Sequence, residues 1–449
     1  MPAQTRVRPT AARTTALALT VPLALLAGCA TETGAGSAPS SAPSGTTTAA
    51  EAATVTPRLA LTYDGGIQVL DATTLETLAD VELDGFNRLN PAGDGRHLLV
   101  STAGGFRLLD AGTWGEPHGD HAHHYTAEPA LTDVTFAAEK PGHVVVHDGR
   151  TVLFDDGTGE IVSFDSAHVA DEDLTTRELT TPSAHHGVAV ELADGTMVVS
   201  EGTEEARTGI RVLDADGQEL TSNADCPGVH GEAVAAGDAV VIGCETGALV
   251  YANGTITKVA SPDAYGRIGN QAGSDASPIV LGDYKSDPDA DLERPTRVSL
   301  IDTRTAALTL VDLPSSYTFR SLGRGDDGEA LVLGTDGALH VIDPETKALV
   351  RSIPVIDAWE EPEEWQEPRP TLLVLDGLAY VTDPSTGTLH AVDYAQGEVW
   401  KSVELTVTPN ELNGVTGEAP SHAHDDHADD EHADDEHADD EHADETHQD

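Results

Sequence analysis

Val69-Leu70-Asp71 closes a short β-rich run, and the same ending returns along the chain. It recurs as Leu108-Leu109-Asp110, Val162-Ser163-Phe164-Asp165, Val212-Leu213-Asp214, Leu300-Ile301-Asp302, Val341-Ile342-Asp343 and Ala391-Val392-Asp393. Tyr251-Ala252-Asn253 is a degenerate eighth copy. The copies recur at about 35 to 50 residues, the blade period of β-propellers. Between them lie hydrophobic runs such as His97–Ser101 and Met197–Ser200 and Asp-Gly turns such as Asp94-Gly95 and Asp336-Gly337. Asp-Gly between apolar runs is a hairpin signal, because both residues tolerate positive φ. No segment sustains a helical period. The expected fold is all-β, a β-propeller over residues 57–416 with eight blades, seven being the alternative. The first unit starts abruptly at Arg58 without an inner strand, and residues 405–415 could supply one and close the ring.

The chain has 449 residues and a formal net charge of −54. Nucleic-acid phosphates need Lys and Arg, so this balance excludes nucleic acid as a partner and favours cations. Arg6, Arg8 and Arg13 precede an apolar stretch from Ala16 to Ala27 that is too short for a stable membrane span. It ends in Leu26-Ala27-Gly28-Cys29, which resembles the lipobox of bacterial lipoproteins. Residues 1–29 thus read as a lipoprotein signal with Cys29 as the lipidated residue. Residues 30–56, rich in Ser, Thr, Ala, Pro and Gly, read as a flexible tether.

Histidines are concentrated in three places. His118-Gly119-Asp120-His121-Ala122-His123-His124 puts four imidazoles and a carboxylate in seven residues, a donor set that suits zinc. The stretch reads as a loop from the second unit to the third. Two blades begin alike, with His185-His186-Gly187-Val188 and Val229-His230-Gly231-Glu232. First strands line a propeller's channel, so His186 and His230 should occupy equivalent places at one mouth. The third concentration is the tail, residues 417–449. His422, His424, His427, His432, His437, His442 and His447 are interspersed there with Asp and Glu and no Lys or Arg. Charge this dense opposes folding, and a five-residue period keeps the histidines off a single helical face. Such a tail offers many interchangeable ligand sets suited to fast, modest capture.

Cys226 and Cys244 lie in one unit. After export they read as a disulfide, the alternative being a thiolate metal site with His230. Two other motifs fall short. Gly323, Gly325 and Gly328 match a dinucleotide fingerprint, but no helix follows and two Asp intervene, so a hairpin turn is expected. Asp287, Asp289 and Asp291 start like a calcium loop, but Leu292 stands where Gly is needed.

The segments His118 to His121, Asp133 to His143, His185 to Val190 and Cys226 to Ala233 together resemble the extracytoplasmic zinc metallochaperones of the AztD type. So does Arg369-Pro370 leading to Val381-Thr382-Asp383-Pro384. The resemblance implies a β-propeller that binds Zn2+ and passes it to the zinc-specific solute-binding protein of an ABC importer, with Cys226–Cys244 as the family's disulfide. The expected protein is a non-catalytic monomer, extracytoplasmic and held to the bacterial cell membrane only by its lipid. The other function classes considered are a metal-dependent propeller hydrolase or lyase and an interaction scaffold with a metal-buffering tail.

Overall fold

The computed structural model describes residues 49–119 and 121–419. Cys29, Asp120 and the tail histidines from His422 onward lie outside the described residues. Within them the architecture is all-β and propeller-like. Seven four-stranded antiparallel sheets are accompanied by one of four strands extended by the short Gly266–Arg267, and by one three-stranded sheet. The only described helix is a single 3-10 turn, Ser166–His168.

The recurring Val/Leu-Asp endings are the third strands of the four-stranded sheets, such as Gly65–Asp71, Gly105–Asp110 and Ala338–Asp343. The reason for the Asp is local. Its carboxylate accepts backbone N–H bonds from the turn that leads to the fourth strand. Asp71 accepts from Thr73 and Thr74 at 3.0 and 2.8 Å, and Asp343 from Glu345 and Thr346 at 2.9 and 3.0 Å. This is the Asx-turn chemistry that lets the chain reverse tightly.

Successive sheets pack face to face. Leu59, Leu61 and Leu70 of the first sheet meet Tyr380, Leu389 and Ala391 of the last. Ala60, Ile67 and Val69, on the opposite face, meet Leu98, Val100 and Leu109 of the second. Period-2 alternation thus serves two cores at once, which is why these strands read as unbroken apolar runs. Eight such clusters link each sheet to the next around a closed circuit. The first strands of the sheets neighbour one another on the inside of that circuit. Closure is supplied by Leu412–Val415, which pairs antiparallel with Arg58–Tyr63 from Arg58↔Val415 to Leu61↔Leu412. The last strand comes from within the residues the sequence nominates for it.

Two placements differ from the sequence reading. His118 to His124 is not a loop between units. It belongs to a hairpin, Thr113–His118 and His121–Thr126, inserted between the third strand and the outer strand Ala130–Ala137 of the second sheet. Residues 50–52, inside the expected tether, form a third strand on that hairpin, pairing Ala50↔Thr126, Glu51↔Tyr125 and Ala52↔His124. The Gly323 to Gly328 motif is the expected hairpin turn: Gly325 donates to the Glu329 carbonyl, and Gly328 to that of Gly325.

Cys226 and Cys244 are disulfide-bonded, 18 residues apart in sequence, and both are fully buried. The bond excludes the thiolate-site alternative. Closing a loop of this size restricts the unfolded chain, so Cys226→Ser with Cys244→Ser should cost about 3 kcal/mol. Chemical denaturation of oxidised wild type against the double variant measures this. A non-reduced digest should show the linked peptides, and two free thiols would contradict the assignment.

Candidate metal centre

Among the described residues, two groups of three histidines bring their donor atoms within 4.8 Å of one another: His143, His186, His230 and His118, His121, His123.

The first group stands where three consecutive first strands begin. His143 lies in Pro141–His147, His186 just precedes Ala189–Glu191, and His230 starts His230–Ala235. Close approach requires small residues beside them. A Cβ on Gly187 would lie 2.2 Å from the Phe154 ring, and one on Gly142 would lie 2.3 Å from Asp156 Oδ1. These contacts explain Gly187 after His186 and Gly142 before His143.

Each imidazole in this group is held through Nδ1. Assigned as the protonated nitrogen, His186 Nδ1 donates to Asp156 Oδ2 at 2.5 Å, and His230 Nδ1 to the Gly269 carbonyl at 2.5 Å. His143 Nδ1 lies 3.0 Å from Glu232 Oε2. This leaves Nε2 as the lone-pair donor on His186 and His230. Those two atoms sit 3.2 Å apart. Two lone pairs face each other there with no proton to share, an arrangement that calls for a cation between them. Tetrahedral zinc with Zn–N of about 2.0–2.1 Å needs its nitrogens about 3.3 Å apart. Anchoring Nδ1 to a carboxylate or carbonyl fixes tautomer and ring orientation before the metal arrives.

The electrostatics sort the three rings. Burial opposes a charge on His143, yet the charge of Glu232 and its hydrogen bond outweigh this and hold the imidazole above its usual range. Burial, together with the charges of His143 and His186, pushes His230 down to about 2. Burial thus favours the neutral form of His230, the form that can ligate. In the metal-free protein the stability contributed by His143 is fully present below its unfolded pKa of about 6.5. It is lost as pH rises through the raised folded value. His230 acts with the opposite sign: its contribution is present above about pH 6.5 and lost as pH falls toward the folded value.

The second group follows from strand alternation. The cross-strand pair His118↔His121, with Glu116↔His123 next to it, puts Glu116, His118, His121 and His123 on one face of the hairpin. His118 Nδ1 lies 3.3 Å from His123 Nε2, and the three ring centroids are 5.1–5.3 Å apart. His118 and His121 are exposed and His123 is half-buried. The trio is more open to solvent than the first group.

Not every nominated histidine joins a group. His124 is on the other hairpin face, and its Nδ1 is buried without a partner among the described residues. His185 is fully buried, with Nδ1 2.9 Å from the Ser183 carbonyl and Nε2 2.9 Å from Ser200 Oγ. Both of its nitrogens are occupied by the fold, so it serves packing. His143 is a candidate ligand that the sequence pattern does not single out. It sits within Pro141-Gly142-His143, where Gly precedes His instead of following it, and the strand register shifts between Pro141 and Val144. The anchors Asp156 and Glu232 also carry no local signal.

No protein-family model matches the chain. A curated relative, the zinc chaperone AztD of Citrobacter koseri (strain ATCC BAA-895 / CDC 4225-83 / SGSC4696), is 27% identical over 375 residues, spanning 80% of this chain and 86% of that protein. The crystal structure of Citrobacter koseri AztD matches with a TM-score of 0.71 at 25% identity, over 82% of this chain and 100% of that one. The structure of apo AztD from Citrobacter koseri matches in fold with a TM-score of 0.69 at 23% identity, over 80% and 98% of the two chains. In sequence over four-fifths of its length, and in fold, the chain is similar to the zinc chaperone AztD of Citrobacter koseri.

Proposed function

We propose that the protein is an extracytoplasmic zinc metallochaperone, anchored through Cys29, that captures Zn2+ and delivers it to the solute-binding protein of a zinc ABC importer. Zinc is its cargo. His143, His186 and His230 form the holding site, the exposed hairpin trio a second, more accessible one, and the tail an antenna. The observation that carries the reading is the 3.2 Å approach of His186 Nε2 to His230 Nε2, with each ring fixed through its other nitrogen. Three imidazoles leave one position of a tetrahedral zinc ion open. An incoming ligand from a recipient can enter there before the protein lets go, which suits transfer rather than burial of the metal.

The direct test is transfer. Full-length protein loaded with one equivalent of zinc should pass it to the solute-binding protein faster than a chelator of equal affinity does. Transfer at the rate of spontaneous dissociation would leave only a storage role.

Proton release gives a sharper check on His143. The Glu232 charge favours the protonated imidazole, so zinc on Nε2 competes with a proton there while Nδ1–H stays on the carboxylate. Glu232→Gln should reduce the protons released per zinc near pH 7 and weaken binding about 10–100-fold, the usual cost of losing such an orienting carboxylate. Calorimetry in two buffers of different ionisation enthalpy measures both. Unchanged proton release would remove His143 from the ligand set.

A further inference from the structure

The strand Ala50–Ala52 is weakly held by the ordinary forces of folding. It is three residues long, and Ala50 and Glu51 are exposed. It buries almost no apolar surface, so backbone pairing to His121–Thr126 is nearly all that fixes it. Yet it brings one polar side chain to the hairpin trio. Glu51 pairs across from Tyr125, on the same face as His123, and its Oε1 lies 3.4 Å from His123 Nδ1. His123 Nε2 points the other way, 3.3 Å from His118 Nδ1. This repeats the device of the first group, where a carboxylate takes Nδ1 and turns Nε2 toward the other rings.

We propose that Glu51 is a positioning residue for the hairpin trio, and that docking of Ala50–Ala52 on the hairpin is coupled to zinc held by His118, His121 and His123. A metal on Nε2 withdraws electron density from the ring and strengthens the Nδ1–H···carboxylate bond. Zinc therefore tightens the strand, and by linkage the docked strand tightens zinc by the same factor. The hairpin becomes a point where metal occupancy sets how firmly Ala50–Ala52 is docked. This rests on the reading of the hairpin as a zinc site.

The test is hydrogen exchange of the full-length protein, followed by peptide mass spectrometry with and without zinc. Four proteins are compared: wild type, Glu51→Gln, His118→Ala with His121→Ala, and His186→Ala with His230→Ala. Zinc should slow exchange in peptides covering residues 50–53 about tenfold in wild type and in the His186/His230 variant. It should leave them unchanged in the His118/His121 variant. In Glu51→Gln the hairpin peptides over residues 113–126 should still respond to zinc, while residues 50–53 respond less than about threefold. A purely structural Glu51 would raise exchange equally with and without metal, and that result overturns the coupling. Hairpin peptides that ignore zinc in wild type would overturn the hairpin site itself, a different outcome from a responsive hairpin with an indifferent N-terminal strand.

Discussion

Replacing His186 and His230 together with Ala should lower the affinity of the folded body for zinc at least a hundredfold. Two of three ligands vanish, and removal of a single orienting partner behind a ligand already costs about 10–100-fold. The fold should survive. His186 is 41% exposed at its side chain, so its truncation leaves no sealed void. Competition against a chromophoric chelator, on protein ending at residue 419, measures the affinity free of the tail. His118→Ala with His121→Ala should cost a smaller factor, about tenfold or more at the hairpin, because that trio is solvent-exposed and so less pre-organised. If the His186/His230 variant binds as tightly as wild type, the assignment of the holding site is wrong.

Arg369→Ala should cost about 3–5 kcal/mol of stability while leaving zinc affinity unchanged. Arg369 and Glu361 form an ion pair in which the side chains are 1% and 5% exposed, with Arg369 Nη1 3.0 Å from Glu361 Oε1. Arg369 also donates to the Glu364 carbonyl at 2.7 Å, tying down the loop before the last sheet. Burial pushes the Arg369 guanidinium down and the Glu361 carboxyl up, and the charge of each opposes that shift in the other. Truncating the guanidinium strands a buried carboxylate. Arg369→Met with Glu361→Leu should recover most of the loss, since an apolar pair of similar volume removes both desolvation costs. Denaturant unfolding of the three proteins gives the comparison, and a single variant within 1 kcal/mol of wild type would contradict it.

The fold was legible because its signal is repeated. Each Val/Leu-Asp ending pairs a two-sided buried strand with a turn-capping carboxylate, and Leu412–Val415 was implied by the incomplete first unit. The site was half legible. His186 and His230 share a His-Gly context and the structure joins them, whereas His143 has the reverse order and a shifted register. Asp156, Glu232 and the Gly269 carbonyl act across sheets, and sequence spacing does not report such contacts. The hairpin was hidden for another reason. The strand His121–Thr126 opens with polar residues and an Ala rather than the β-branched residues that mark strands, and it follows Gly119-Asp120, so it reads as a loop until its partners are seen.

The closing strand also has a meaning in time. Until Leu412–Val415 arrives, Arg58–Tyr63 has no partner on its inner side. Its N–H and C=O groups then form an open edge of the kind that recruits strands from other chains. In a polypeptide made N-terminus first, this edge waits until Leu412–Val415 has been made before it is paired. Closing it brings together residues more than three hundred positions apart, and such non-local pairing is slow. Aggregation before ring closure is therefore the hazard this architecture carries. A holdase that covers the first sheet should raise the yield of active protein more than one that covers the last.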